Sequence, residues 1–305
     1  MNTKGMGMSA ADATMQDEIV VLGTGKSVNN LTRKQVEYLN RQPIRIGINK
    51  YTAFHYLVGV IPNRVWFTDL HPPNNLILEY LADTTWRYPI QDARFILSRG
   101  WGTSPQKATF SAVAKQIART VFQKRQIYFP RSRRVASAVR TAIRLPGARR
   151  IYHGAAVLCL PHGCDYQLVQ VDLANWNTGK AEWATRPDQP LYQWLTSFTT
   201  VLNYISVYHP GAKVRLVGTD FNSAGYFFDA ELSKLNLRWD DWTSPLQRTE
   251  NKHFAAIDTG GRPTLYDRMP EILNHLRAAN IRLTCANPNS DLVLRGYVPY
   301  ECIPE

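Results

Sequence analysis

The chain has 305 residues, with 36 Lys and Arg against 24 Asp and Glu, and a formal net charge of +12. A hydrophobic content of 44%, with 11% aromatic residues, supports a packed core and excludes wholesale disorder. No apolar run approaches ~18 residues, so no transmembrane helix is expected, and four cysteines make no disulfide framework.

Residues 1–17 are polar, lack periodicity and contain no apolar stretch. They are expected to form a flexible tail without a secretory signal, and the default setting is a reduced, cytoplasmic one. Glu18–Gly23 (EIVVLG) is a short β-branched run ending in glycine, hence a buried strand. Leu31–Leu39 has helical spacing, so strand, Gly-rich turn and helix follow in order. Ile44–Ile48 and Arg64–Thr68 read as the next two strands, and Tyr88–Leu97 carries a possible fourth. In 107–123 and 133–145 apolar residues recur at helical spacing; in the second, Arg133, Arg140 and Arg144 form a basic ridge, and Pro130 and Pro146 bound it. Gly154–Leu160 is a short strand candidate. Leu191–Tyr208 reads as a helix, stopped by His209-Pro210-Gly211, and Val214–Gly218 as the strand after it. Tyr266–Ala279 is a last helix feeding the strand Ile281–Ala286. Strands alternating with helices predict an α/β fold: a Rossmann-like, mostly parallel sheet flanked by helices.

The charge is concentrated. Between Asp92 and Asp165 there is no carboxylate in 72 residues, and that window holds 14 basic side chains. The remainder of the chain carries 22 basic and 24 acidic residues, a balance of −2. A field of this kind attracts polyanions, and its bland counterpart is a solvated face that aids solubility. The polyanion-binding candidates are Lys115, Arg119, Lys124, Arg125, Arg131, Arg133, Arg134, Arg140 and Arg144.

Gly23-Thr24-Gly25-Lys26-Ser27 lacks the earlier glycine of a nucleotide P-loop, since position 20 is Val20. It is still a Gly-rich turn between a first strand and a helix, a place where backbone N–H groups can face phosphate. Asn49 follows the second strand, and Thr68 and Asp69 follow the third, where polar side chains of a parallel sheet face a ligand crevice. Asp220, after Gly218-Thr219, is open to three readings: metal ligand, ribose contact or turn former. Asp240-Asp241 lies between tryptophans in a loop, so no metal-binding carboxylate pair is supported. His253 lies in a polar loop, where a histidine is either solvated or a base near neutral pH. Cys159, His162 and Cys164 have no second pair at metal-site spacing and read as core cysteines beside a loop histidine.

In their order along the chain, these pieces resemble the bacterial sialyltransferases of glycosyltransferase family 42. The likeness rests on Gly23–Ser27, Asn49, Thr68 in VWFTDL, Ser197–Thr200, Gly218–Phe221, Tyr226, His253 and Pro288-Asn289-Ser290, short islands spread from about 18 to 298. Thr68 stands where the family has Asn, and about fifty extra residues, coinciding with the acid-free window, separate the third strand from the Thr/Ser-rich helix start. The resemblance implies a metal-independent, GT-A-like nucleotide-sugar domain over 18–298. It would include a basic helical insertion at 93–164 and a lid at about 222–260, with a short tail at 299–305. It implies that Gly23, Thr24, Gly25, Ser27, Asn49, Thr68, Asp69, Ser197, Thr199, Thr200, Asp220, Asn289 and Ser290 hold a CMP-, CDP- or UDP-linked donor. His253 would be the general base, and Tyr226 would support the leaving phosphate. No further cofactor and no metal is expected.

With the basic segment added, the favoured function is transfer of a sugar to a polyanionic acceptor. Hydroxymethylated bases of DNA are the best candidate, of the kind virus-encoded enzymes decorate. A sialyltransferase acting on glycan or glycolipid at an anionic membrane face is a second reading. A third is a pterin pyrophosphokinase-like, metal-dependent ATP enzyme, in which Asp69 would ligate the metal. A fourth is a binding module without catalysis.

Overall fold

The computed structural model describes residues 18–68, 81, 84, 88, 90, 92–99, 149–153, 156–160, 163–172, 181–222, 225–234, 250, 252–258 and 261–305. The strands are β1 (Glu18–Leu22), β2 (Ile44–Ile48), β3 (Arg64–Phe67), β4 (Arg94–Ser98), β5 (Arg149–His153), β6 (Ala156–Leu160), β7 (Asp165–Val169), β8 (Lys213–Val217) and β9 (Arg282–Cys285). The helices are α1 (Arg33–Arg41), α2 (Lys50–Phe54), α3 (Ser197–Tyr208), α4 (Asp229–Lys234), α5 (Leu265–Ala278) and α6 (Asp291–Leu294).

Seven strands form one parallel sheet in the order β7–β4–β3–β2–β1–β8–β9. Successive strand side chains point to opposite faces. Ile19 and Val21 of β1 therefore join one core and Val20 and Leu22 the other. The first core includes Ile46, Trp66 and Ile96 and is covered by α3 and α5 through Val201, Leu202, Ile205, Met269 and Ile272. The second includes Val65, Phe67, Phe95 and Leu97 and is covered by Leu39 of α1 and by Tyr51 and Phe54 of α2. Apolar residues at every position of β1 thus follow from a strand buried on both faces. The architecture is a Rossmann-like α/β sheet, as the alternation of elements predicts.

Local chemistry fixes the helix ends. In α1, Thr32 and Gln35 make a capping box, and in α5 Thr264 and Asp267 do the same. Helix α3 starts at Ser197, six positions later than the apolar pattern from Leu191 suggests. Leu195 takes a left-handed φ of 60°, and the Thr196 side chain caps the Phe198 N–H at 2.8 Å.

The acid-free window begins inside the sheet, because Arg94–Ser98 is the strand β4. Near its end, β5 and β6 pair as an antiparallel hairpin of their own. The helical patterns at 107–123 and 133–145, and the nine basic residues from Lys115 to Arg144 named above, lie outside the described residues. So does Asp69.

The C-terminal segment, expected as a tail at 299–305, is pinned to the sheet. Cys285 N–H donates to Pro299 O and Glu301 N–H to Cys285 O, both at 3.0 Å, and Ile303 is buried. Arg215 of β8, almost wholly buried, donates to both carboxylate oxygens of Glu18 at 3.0 Å, to the Glu301 carboxylate at 2.8 Å, and to the carbonyls of Glu301 and Cys302. Among the described residues no helix is long and apolar enough to cross a membrane.

Candidate functional site

The chain runs from β1 outward to β7 and then returns to place β8 on the other side of β1. In open α/β sheets such a reversal leaves a crevice outside the carboxyl ends of the two central strands. The Gly-rich turn after β1 and the Gly218-Thr219-Asp220 turn after β8 meet there.

They meet at very short range. A Cβ on Gly23 would lie 2.9 Å from the Gly218 carbonyl carbon, and one on Gly25 would lie 2.5 Å from Asp220 Cγ. Glycine is therefore required at both positions by close approach. The backbone donors of the turn point into the protein: Gly23 N–H to Val217 O at 2.8 Å, Gly25 N–H to Gly218 O at 2.7 Å and Ser27 N–H to Asp220 Oδ2 at 2.9 Å. Ser27 Oγ and Asn287 Nδ2 donate to Asp220 Oδ1 at 2.5 and 2.8 Å. Asp220 is thus the internal anion around which the turn is folded, and three N–H groups expected to face phosphate are committed to it, to the end of β8 or to Gly218 just after it.

The carboxyl end of β2 carries the more open chemistry. Asn49 sits at φ 44°, ψ −108°, an unusual conformation for a residue with a side chain. Its amide nitrogen donates to Ser197 Oγ at 3.0 Å, tying the β2 end to the start of α3, while its Oδ1 is buried with no hydrogen-bond partner. Thr200 Oγ1 and Thr219 Oγ1 are likewise buried and unpartnered. Next to Asn49, the Lys50 ammonium donates to Tyr226 OH at 3.3 Å and lies 4.7 Å from that ring's centroid. Tyr226 stacks on Phe228, which stacks on Phe54 of α2, with centroids 5.0 and 4.0 Å apart. Phe227 N–H donates to Thr24 O at 3.1 Å, so this aromatic segment is fastened to the Gly-rich turn. The described start of the expected lid is therefore built into the core, with Phe228 fully buried.

His253 completes the group. Its N–H donates to Phe221 O at 3.3 Å and its ring stands edge-on to Phe221 at 5.2 Å. Phe221 also adopts a left-handed φ of 60°. Left-handed residues thus occur at the β2 end, after β8 and before α3, as they do at Asp92 and Asn280. His253 Nδ1 accepts the Ala255 N–H at 3.3 Å, capping the short turn Phe254–Ala256. The neutral ring therefore carries its proton on Nε2. Burial, helped by the Lys50 charge, lowers the imidazole from its ordinary 6.5 to about 4, so it is neutral at pH 7.

The remaining expected donor contacts divide. Ser197 meets Asn49, and Thr200 is as fully buried as Thr199, but the Thr200 hydroxyl has no partner whereas that of Thr199 is engaged by the Trp194 N–H and the Thr196 carbonyl. Ser290 is fully buried, donates to Thr219 O at 2.8 Å and caps α6, which fixes one turn to another. Asn289 is exposed, and its carbonyl accepts from Asn222 Nδ2 at 2.5 Å. Thr68 is buried beneath the Trp66 indole, which donates to its hydroxyl at 3.1 Å. Two residues go unnamed in the sequence reading above. Lys50 had a signal, its place beside Asn49 at a strand end. Asn287, which holds Asp220, had none.

Beside the turn a cavity of about 270 Å³ opens between the start of α1 and the loop after β9, with Ser27, Asn30, Gln35, Asn287, Asn289 and Tyr300 in its wall and no charged side chain. Among the described residues no three His, Cys, Asp or Glu side chains group as a metal site. No protein-family model and no curated protein matches the chain. Among solved structures, the crystal structure of a variant of the sialyltransferase CST-II in complex with CMP aligns with 94% of this chain and 86% of its own, at 14% identity and a TM-score of 0.37.

Proposed function

We propose that the chain transfers a sugar from a nucleotide-sugar donor to a hydroxyl of a polyanionic acceptor, hydroxymethylated DNA bases being the favoured class. The observation that carries the donor half is the meeting of Asn49, Ser197, Tyr226 and His253 around the carboxyl end of β2, beside the switch point of the sheet. The amide-lined cavity next to the Gly-rich turn suits an uncharged nucleoside. The acceptor half is supported by the acid-free segment, whose 14 basic residues suit phosphate-backbone contacts.

In the transfer, the acceptor oxygen bonds to the anomeric carbon while the bond from that carbon to the phosphate oxygen breaks. The bonding pair leaves on the phosphate, where Tyr226 donates a hydrogen bond. The acceptor proton passes to His253 Nε2. Because the resting ring holds its own proton there, uptake requires the 3.3 Å contact to Ala255 to open and the ring proton to sit on Nδ1.

A thermal-shift screen across CMP-, CDP-, UDP-, GDP- and ADP-sugars tests the donor reading. A ligand at a hundred times its Kd stabilises by about 2.7 kcal/mol, so one donor class should raise Tm clearly. Stabilisation by ATP with Mg²⁺ alone would favour the pyrophosphokinase reading. No response to any nucleotide would remove both. For the acceptor, duplex DNA affinity should fall steeply with salt, and undetectable binding would remove the DNA assignment.

A further inference from the structure

Lys50 is absent from the set of donor contacts above, yet it occupies the centre of the β2 end. Its ammonium reaches Tyr226 OH at 3.3 Å and covers that ring at 4.7 Å. The ring cannot drift, because Phe228 and Phe54 back it in a three-ring stack. The next residue, Phe227, is bonded to the Gly-rich turn through Thr24 O. The ammonium is thereby brought to the side of that turn, at the crevice.

Lys26, the lysine of the Gly-rich turn itself, lies 3.5 Å from Asp229. The Asp220 carboxylate takes three hydrogen bonds from Ser27 and Asn287. The backbone N–H groups of Gly23, Gly25 and Ser27 are turned inward. A departing phosphate needs positive charge or strong donors, and the turn itself supplies few. Asn49 Oδ1, buried and unpartnered on the neighbouring residue, marks the same place as one built for a ligand.

Resting on the nucleotide-sugar reading, we infer that Lys50 is the cation that receives the donor's phosphate, with Tyr226 held in line beside it. The ammonium contacts a phosphate oxygen in the complex and neutralises the charge that grows as the anomeric carbon–oxygen bond breaks. Lysine acts here as a point charge.

The test compares nucleoside monophosphates (CMP, UMP, AMP and GMP) with their nucleosides by calorimetry. Wild type, Lys50→Gln and Lys50→Arg are titrated after each is checked for folding. Wild type should bind one monophosphate at least about tenfold more tightly than its nucleoside, the size of one charge-assisted contact. Lys50→Gln should erase that preference and leave nucleoside affinity alone, while Lys50→Arg should retain most of it. Should Lys50→Gln not fold, wild type alone decides: between about 50 and 500 mM salt the monophosphate preference should shrink while nucleoside affinity holds. A preference that survives Lys50→Gln, or that ignores salt, overturns the role of Lys50 but leaves the donor site standing. Wild type that binds no member of either set overturns the donor reading and Lys50 with it.

Discussion

Gly25→Ala separates close approach from conformational freedom as the reason for the Gly-rich turn. Gly25 has φ −65° and ψ 155°, where alanine is at home. On conformation alone the substitution should stabilise by about 0.4–1 kcal/mol, because it restricts the unfolded chain. The added methyl, however, would lie 2.5 Å from Asp220 Cγ, 2.8 Å from the Gly218 carbonyl oxygen and closer still to Asp220 Oδ2. Moving the carboxylate strains its bonds from Ser27 N–H at 2.9 Å, Ser27 Oγ at 2.5 Å and Asn287 at 2.8 Å. Overpacking costs about 1–3 kcal/mol and each hydrogen bond to a charged group is worth about 1.5–3. With partial relaxation, a net loss of about 2–5 kcal/mol is expected. Urea denaturation at constant m reads it directly. In an Asp220→Ala background the same methyl still meets the Gly218 carbonyl but no carboxylate, and should cost about 2 kcal/mol less, a coupling typical of residues in contact. Stabilisation by Gly25→Ala, or additivity with Asp220→Ala within about 0.5 kcal/mol, would refute the packing argument.

Asn49→Gly should be more stable than Asn49→Ala by about 1–2 kcal/mol, reversing the usual order, because φ 44° is strained for any side chain. Equal denaturation midpoints would remove strain as a property of that position, and both variants should lose nucleotide affinity. Arg215→Ala should destabilise by about 3–5 kcal/mol, since it leaves the buried Glu18 carboxylate with Lys213 at 3.1 Å and the Tyr38 hydroxyl at 3.2 Å but without its bidentate guanidinium. A loss under about 1 kcal/mol in the same denaturation assay would show that the C-terminal segment does not depend on it. Acid should weaken the fold in two stages. His253 is lowered from 6.5 to about 4, so the unfolded chain takes up the proton first. Its contribution is complete above pH 6.5 and is lost as pH falls toward 4, an effect of roughly 1–3 kcal/mol after allowing for partial exposure. Desolvation raises Glu301, but its bonds to Lys213 and the Arg215 charge outweigh this and hold it below its ordinary 4.5, so its contribution goes at lower pH still. Identical stability at pH 7.5 and 5, or an undiminished drop in His253→Gln, would contradict the first stage.

The sheet was legible because burial on both faces leaves a local trace. Ile19 to Leu22 are apolar without alternation, while Ile44–Ile48 and Val214–Val217 are short runs of β-branched and leucine residues interrupted by one arginine each, and in the first also by a glycine. Strand β7 leaves no such trace, because DYQLV lies at a sheet edge with only Val169 buried. The start of α3 was misplaced because Leu191, Trp194 and Leu195 are apolar for a different reason, packing as an extended segment in the core under α5. Asn49 was legible as a polar residue directly after an apolar strand, and Ser197, Tyr226 and His253 as polar or aromatic residues of a helix start and loops. The direction in which each polar group points was not. Asp220 and Ser27 are 193 positions apart, and a carboxylate after a strand reads the same whether it faces a ligand or a glycine turn.

That ambiguity decides how the site works. If Asp220 faced a donor, its charge would oppose phosphate, and the Gly-rich turn would have to overcome it with backbone N–H groups. Instead Asp220 is hydrogen-bonded from within by Ser27 and Asn287, and it turns the Ser27 N–H inward, while those of Gly23 and Gly25 are held by the Val217 and Gly218 carbonyls. On the proposed reading, positive charge for a phosphate comes from the neighbouring strand end, where Lys50 follows β2. The same ammonium helps burial keep the His253 imidazole uncharged, so that, on the proposed reading, the cation assigned to the leaving group also acts on the base assigned to the acceptor.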